Sequence, residues 1–374
     1  MLGKELGRRA AELCQLRHSA SRRHPQWADL YLTKQGIQQA TDPEVARFRA
    51  AELGGSTALR FVYDATTGIG GDALELSAAG FQVVAGDLSP LTLRCARANL
   101  SARGHRAVVV QADAGRPPIK GGRPVLLLLD PDRRAGGRRS LDPARWSPSW
   151  DVALALAARF PGACLKLSPA FEPDDPHLGL PPGLDHRWQW ISLRGELKEV
   201  ALWTGELAGP GGGAREAVAL DGAGGVARLG GEPTATPALR AAEAAAVAWI
   251  AEPDPGVIRS GLLGLLAREQ GLRPVGPGIA YLGGSDRPDS PLLQAWRVVD
   301  SARADPRRVR AMLQRHGIGP VRVRKRGHPD APPVLERRFR GRGRQRGELL
   351  VARLEEGHRA YLVAPCPRSR PGPV

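Results

Sequence analysis

Short apolar runs alternate with amphipathic stretches through the first half of the chain. The runs show no period-two alternation, which is typical of strands that are buried on both faces of a parallel sheet. Segments with the spacing of helices separate the runs, so the order of elements predicts an α/β fold. The apolar runs are residues 59–63, 82–86, 107–111, 124–129 and 163–167.

A loop rich in threonine and glycine follows the first predicted strand. Asp64 ends the strand, Thr67 lies in the loop, and Gly68 and Gly70 allow the backbone to turn tightly and approach a ligand. A helix predicted from Asp72 would offer free N–H groups, a layout typical of nucleotide cofactor sites. Gly68 and Gly70 also match the dinucleotide fingerprint. A carboxylate at Asp64 would repel a pyrophosphate and favours a cationic ligand. A nicotinamide cofactor and a turn without a ligand are the alternatives.

Three later strands also end at or just before an acidic residue, namely Asp87, Asp113 and Asp130. Ligands of an open parallel sheet bind outside the carboxyl ends of its strands. Asp87 follows Asp64 by 23 residues, which is close to the ~20 expected of an acid that binds ribose. These acids therefore predict one polar ligand at a shared edge, and solvent-facing loop acids are the alternative.

The spacing of Asp64, Gly68 and Gly70 resembles motif I of the class I S-adenosylmethionine-dependent methyltransferases. The chain as a whole resembles a bacterial family of these enzymes with a C-terminal THUMP-like domain. The segments that carry this resemblance are 39–41, 64–72, 130–134, 252–261, 280–282 and 323–327. More distantly, the chain is similar to the enzymes that methylate guanine N2 of RNA caps.

The resemblance implies a Rossmann-like class I methyltransferase sheet, a helical N-terminal lead-in, and a small basic α+β THUMP-like domain. It also implies S-adenosylmethionine as cofactor, with Asp113 accepting from the adenine amino group. The expected cofactor-binding residues are Asp64, Thr67, Gly68, Gly70, Asp87 and Asp113.

The segment from Asp130 to Arg134 stands where these methyltransferases have their catalytic loop. Enzymes that methylate amino groups have (Asp/Asn)-Pro-Pro-(Tyr/Phe) there, and this chain departs from that pattern at Asp132 and Arg133. Asp130 remains the candidate catalytic residue beside the methyl group. Arg133 and Arg134 are candidates to bind substrate phosphate, or to form an ion pair with Asp132.

Two segments near the ends of later strands are further candidates for substrate contact. They are residues 166–169, which begin with Lys166, and residues 196–199, which end with Glu199. Ordinary structural roles are the alternative for both. Before the first strand, Thr41 and Glu44 have the spacing of a capping box, which predicts that Thr41 caps the following helix.

Positive charge is concentrated near the C-terminus. Residues 303–346 carry +12 of the formal net charge of +16. A uniform excess of arginine over lysine would not concentrate charge in this way, so the cluster predicts an anionic partner, most simply RNA. Arg324, Lys325 and Arg326 are the candidate RNA contacts, and a solvated basic tail is the alternative.

Other classes of protein are disfavoured. The four cysteines form no C-x-x-C pair and no histidines stand at helical spacing, so we expect no metal site. No apolar run approaches the ~20 residues of a membrane span. The N-terminus lacks an apolar signal region, so we expect a cytoplasmic protein. The oligomeric state is not predicted.

We expect four segments: a helical lead-in over 1–55, a methyltransferase domain over 56–232, a helical connector over 233–302, and the basic THUMP-like domain over 303–374. The leading hypothesis is a methyltransferase that acts on a base of tRNA or rRNA, with the basic domain binding RNA. The alternatives are an RNA-binding or assembly factor that binds the cofactor without catalysis, and a methyltransferase of DNA or a small molecule.

Overall fold

A computed structural model describes residues 2–106, 108–120, 123–133, 140, 142–176, 178–209, 213–367, 369 and 371–372. The chain forms two compact units. The first unit comprises Met1–Ile191 and Lys198–Ala214, and the second comprises Ser192–Leu197 and Arg215–Val374. Among the described residues, no helix combines the length and the apolar character that crossing a bilayer requires.

The first unit alternates helices and strands after a helical lead-in. Its helices are α1 (Leu2–Ser21), α2 (Lys34–Gln39), α3 (Pro43–Ser56), α4 (Gly71–Ala78), α5 (Pro90–Ala102) and α6 (Trp150–Ala157). Strands β1 to β5 are Phe61–Asp64, Gln82–Asp87, Val108–Gln111, Leu126–Leu129 and Gly162–Leu167, and they precede β6 (His186–Leu193) and β7 (Glu196–Gly205).

The strands of this unit follow the order β3-β2-β1-β4-β5-β7-β6. Strands β1 to β5 pair in parallel, and β7 runs antiparallel to β5. The four leucines of β4 are almost fully buried, as expected of a strand covered on both faces. The predicted parallel α/β sheet is confirmed, and it brings the carboxyl ends of β1, β2 and β4 to one edge.

Glycine is required at the turn from β1 into α4. Gly70 has φ +91°, in the left-handed region that side chains disfavour. A Cβ atom there would also lie 3.3 Å from the backbone of Ala96 in α5. The glycine therefore permits both the turn and the close packing of α5.

The predicted cap of α3 is wrong by one residue. Asp42 is the N-cap, and its carboxylate accepts a hydrogen bond from the Glu44 N–H at 3.1 Å. The Thr41 hydroxyl instead donates to Asp72 at 2.8 Å. An aspartate caps a helix as well as a threonine does, so the tertiary contact of Thr41 decides between them.

The second unit combines a hairpin with a larger sheet. The hairpin strands are β8 (Ala214–Leu220) and β9 (Val226–Gly231). The later helices are α7 (Ala241–Ala245), α8 (Pro255–Arg259), α9 (Leu263–Glu269), α10 (Pro306–Arg315) and α11 (Pro332–Phe339). The later strands are β10 (Trp249–Pro253), β11 (Arg273–Pro274), β12 (Leu282–Gly284), β13 (Leu293–Arg303), β14 (Ile318–Arg326), β15 (Gln345–Arg353) and β16 (His358–Pro365).

The strands of the larger sheet follow the order β11-β12-β10-β13-β16-β15-β14. All its pairs are antiparallel except β14 with β15, which are parallel. Helices α10 and α11 supply Met312, Leu335 and Phe339 to a core shared with these last strands.

The helical connector predicted for residues 233–302 is only partly correct: α8 and α9 lie in it, but β10, β11, β12 and most of β13 lie in it as well. The alanine-rich stretch forms only the five-residue α7, and residues 249–253 form β10. Strand β10 pairs with both β12 and β13, so it is a central strand of the sheet. This pairing, together with burial of Ile250, outweighs the helix propensity of the neighbouring alanines.

Candidate functional site

A cleft of about 400 Å³ lies at the carboxyl ends of β1, β2 and β4. Four of the six predicted cofactor residues line it: Thr67, Gly68, Asp87 and Asp113. Asp64 and Gly70 are not among the lining residues, so a direct cofactor contact by either one stays a prediction.

Asp87 organises the glycine loop. One carboxylate oxygen accepts the Gly68 N–H at 2.9 Å, and the other accepts the Ser89 N–H at 2.8 Å and the Thr92 hydroxyl at 3.0 Å. A carboxylate has about four lone-pair sites and three are used, so Asp87 keeps acceptor capacity for one ribose hydroxyl. A Cβ atom at Gly68 would meet nothing within 4 Å, which leaves space beside the loop for a ligand.

Asp64 is buried at the end of β1, with only 2% of its surface exposed. Burial, assisted by the negative charge of Asp72, raises the pKa of Asp64 to about 7. One of its carboxylate oxygens has no hydrogen-bond partner among the described residues. Asp64 therefore lies buried where the glycine loop begins, and its carboxyl group changes charge near neutral pH.

A chain of buried charges lies beside the cleft and was not predicted as a unit. The Lys166 ammonium donates to Asp72 at 2.8 Å and to the Thr41 hydroxyl at 2.7 Å. Its distance to a carboxylate oxygen of Asp130 is 3.0 Å. Asp72 also pairs with the buried Arg49, whose other nitrogen binds Glu199.

Mutual pairing keeps this network charged. Burial acts to lower the pKa of Lys166, but the negative charges of Asp130 and Asp72 outweigh it and raise that pKa. Burial acts to raise the pKa of Asp72, but Arg49 and Lys166 outweigh it and hold that pKa well below its usual range. Because of these pairings, Lys166 presents a fixed positive charge to Asp130.

Asp130 is held at two points. Its N–H donates to the Thr66 hydroxyl at 2.8 Å, and its carboxylate meets Lys166. The Asp130 side chain is 38% exposed, against 9% for Lys166. The carboxylate thus has a fixed position and one side that faces solvent. A group that positions a second molecule for reaction needs both features.

A second cavity, of about 440 Å³, meets the cleft at Thr41, Asp130, Arg133 and Lys166. Arg23, His24 and Trp27 of the N-terminal lead-in and Lys198 of β7 are on its wall. Of the predicted substrate residues, Arg133 lines both cavities. Arg134 lies outside the described residues.

Part of this site had a signal in the sequence. Arg49 stands among apolar positions of α3 that are buried, such as Phe48 and Leu53. An arginine on the buried face of a helix must have an anionic partner, which predicts a buried acid but not its identity. Lys166 and Glu199 were predicted only as candidate substrate contacts.

The predicted RNA contacts of the second unit are engaged within the protein. Arg324 binds Glu348 at 2.7 Å, and Arg326 binds Glu252 at 2.8 Å. The Lys325 ammonium donates to a backbone carbonyl at 2.5 Å. This geometry does not support a role for these three residues as the main phosphate contacts.

Comparison with known proteins gives consistent results. The THUMP domain-like family matches residues 293–365, against the predicted 303–374. Proteins of two Mycobacterium tuberculosis strains, named as uncharacterized S-adenosylmethionine-dependent methyltransferases, are each 32% identical to this chain over 332 residues, which cover 89% of it and 87% of theirs.

A crystal structure from Porphyromonas gingivalis, of a protein named as a methyltransferase, is similar to most of the chain. It has a TM-score of 0.71 at 16% identity and covers 93% of this chain and 88% of that one. At this identity the similarity shows the fold alone. The predicted fold class is confirmed.

Proposed function

Because the chain belongs to the S-adenosylmethionine-dependent methyltransferases, we propose that it methylates a base of tRNA or rRNA. Membership of the family makes it an enzyme with S-adenosylmethionine as cofactor. The RNA substrate is supported by the THUMP domain-like match and by the charge of +12 over residues 303–346. With tRNA or rRNA as substrate, the enzyme would work in the cytoplasm.

The cleft has groups that suit this cofactor. We assign Asp87 to a ribose hydroxyl and Asp113 to the adenine amino group, and the space beside Gly68 admits a ligand against the loop backbone. Bound there, S-adenosylmethionine supplies a methyl group attached to a positively charged sulfur. We assign cofactor binding to the first unit and RNA binding to the second.

The observation that carries the proposal is the junction of two cavities at the pair formed by Asp130 and Lys166. We assign the first cavity to the cofactor and the second to the acceptor base. Arg23 is an exposed cation on the wall of the second cavity, and we assign it a phosphate of the acceptor strand.

In this arrangement the acceptor nitrogen would donate a hydrogen bond to the Asp130 carboxylate, which would orient the nitrogen lone pair towards the methyl carbon of the bound cofactor. The nitrogen–carbon bond would form as the carbon–sulfur bond of the bound cofactor breaks, and the electron pair of that bond would leave with sulfur. The proton passes from nitrogen to Asp130 or to water. Lys166 keeps the carboxylate in place, so positioning supplies most of the rate acceleration.

A second candidate function is an RNA-binding or assembly factor that binds the cofactor but transfers nothing. The observation that favours it is Arg133, which stands where amino-group methyltransferases have a stacking aromatic. A DNA or small-molecule acceptor is the third candidate. Salt-insensitive activity would favour a small neutral substrate, because a basic surface contributes nothing to binding such a molecule.

The test is transfer of a radioactive methyl group from S-adenosylmethionine to total RNA from a strain that lacks this gene. DNA and protein fractions serve as parallel acceptors. We expect label in one RNA species, and nuclease mapping then identifies the base. Label only in DNA or protein contradicts the proposal. Cofactor binding without label in any fraction, including assembled ribosomal particles, supports the non-catalytic factor.

A further inference from the structure

The five-residue loop between α11 and β15, together with the first two residues of β15, holds four arginines in seven residues. These are Arg340, Arg342, Arg344 and Arg346, in a segment without any acidic residue. All four are exposed. Within the described part of the chain, none of the four side chains makes a hydrogen bond or an ion pair. We call residues 340–346 the glycine–arginine loop.

The glycines fix this loop against the start of β14. The Gly341 N–H donates to the Gly319 carbonyl at 2.8 Å, and the Gly343 N–H donates to the Ile318 carbonyl at 3.1 Å. A Cβ atom on Gly341 would lie 2.3 Å from the Ile318 oxygen, and one on Gly343 would lie 1.9 Å from the Gly317 oxygen. Only glycine permits this approach, so the loop backbone is held while its arginines remain in water.

A structural role does not account for these four arginines. A packing role would bury their stems, and an ion-pairing role would bring acids to them, as happens to Arg324 and Arg326 in the neighbouring strand. Four like charges in one short loop repel one another. An external anion removes that repulsion, and a guanidinium binds phosphate oxygens through two parallel hydrogen bonds.

We infer that the glycine–arginine loop is the principal phosphate-binding surface of the second unit and grips the RNA backbone. The inference rests on the proposed function, and it assigns RNA binding to residues other than Arg324, Lys325 and Arg326. Contacts to phosphate carry no base specificity. The loop therefore provides affinity and orientation, while selection of the base takes place in the first unit.

The test measures binding of fluorescein-labelled tRNA to the full chain over a series of salt concentrations. Substitution of two loop residues, Arg342→Gln with Arg344→Gln, removes two charges and keeps polar side chains. We expect roughly tenfold weaker binding at low salt, from the loss of charge-assisted hydrogen bonds. The slope of log affinity against log salt should fall in magnitude by about 1.5, the value for two phosphate contacts.

Two variants serve as controls. The double change Arg287→Gln with Arg297→Gln removes two exposed charges outside the loop and should leave the salt slope close to that of the wild type. Arg342→Lys with Arg344→Lys keeps the charge and should retain most of the slope. A lost slope in the lysine variant would show that charge is not the cause and would overturn the inference.

The possible outcomes distinguish a failure of the loop assignment from a failure of the proposed function. Wild-type binding and slope in the glutamine variant, in a protein that still methylates RNA, overturn the loop assignment alone. A wild-type chain that neither binds tRNA at low salt nor labels RNA overturns both. Unchanged tRNA binding with lost binding to polyglutamate would assign the loop to an acidic protein partner instead.

Discussion

The first and second units use charge in opposite ways. Beside the cleft of the first unit, Arg49, Asp72, Lys166 and Glu199 are buried and linked in one network. In the second unit, strand β14 has paired cations, whereas the glycine–arginine loop has exposed arginines without partners among the described residues. Burial forces each charge to find a partner, and only surface charge is available for a ligand. A count of arginines does not distinguish the two.

The largest effect is expected at the junction of the two cavities. Asp130→Asn keeps the shape but weakens the acceptor group, so methyl transfer in a single turnover should fall about 10²–10⁴-fold. Affinity for S-adenosylmethionine, measured by calorimetry, should stay within about twofold of the wild type, since Asp130 has no assigned cofactor contact. Retained transfer would show that another group holds the acceptor.

The second-largest effect is expected on stability, when a buried charge is removed. Arg49→Met leaves Asp72 and Glu199 without their shared partner, so the free energy of unfolding should fall by about 3–5 kcal/mol. Arg47 in the same helix is the matched control, because it is 63% exposed and pairs with Glu75. Arg47→Met should cost less than about 1 kcal/mol. Denaturant titrations measure both losses of unfolding free energy. Equal losses for the two variants would mean that the buried network of Arg49 contributes no more than an exposed ion pair.

Asp87→Ala tests the cofactor side of the cleft. It removes the brace on the Gly68 N–H and the proposed ribose contact, so affinity for S-adenosylmethionine should fall roughly 100-fold. Asp113→Ala should cost roughly tenfold, from one hydrogen bond to adenine. Calorimetric titration measures both. Wild-type affinity in Asp87→Ala would place ribose recognition elsewhere.

Asp64 makes stability depend on pH. Its pKa is raised to about 7 in the folded chain from about 3.9 when unfolded, so between these values the folded state binds more protons. Its contribution to stability is therefore present at low pH and is lost as pH rises through 7, by at most about 1.4 kcal/mol per pH unit. The difference in unfolding free energy between the wild type and Asp64→Asn should change across this range. A constant difference would contradict the burial of an ionisable carboxyl.

The smallest effect separates the two arginine sets of the second unit. Arg324→Gln should lower the free energy of unfolding by about 1 kcal/mol, because Glu348 and Glu252 lose a partly exposed partner. Its tRNA affinity should not change. Arg342→Gln should weaken tRNA binding and leave the free energy of unfolding unchanged. If Arg324→Gln weakens tRNA binding at unchanged stability, the residues predicted from the sequence are the RNA contacts after all.

The sequence alone determined the features that depend on local geometry. Apolar runs without alternation indicated the parallel sheet, which places Asp87 and Asp130 at one edge wherever the helices pack. The glycine loop was also readable, because Gly70 is needed for a left-handed backbone. The sequence predicted the position of Asp130 from the end of its strand, but it did not predict Lys166 as the partner of Asp130.

Only the tertiary structure decided which charges are paired. Lys166 meets Asp72 across 94 positions of the chain, and Arg49 meets Glu199 across 150. No local pattern records such contacts, since they depend on how α3, α4, β5 and β7 pack. The secondary structure of β10 was also decided by the tertiary fold, because pairing with β12 and β13 outweighed the helix propensity of the neighbouring alanines. The composition set how much positive charge the chain has, and the fold set which of it faces water.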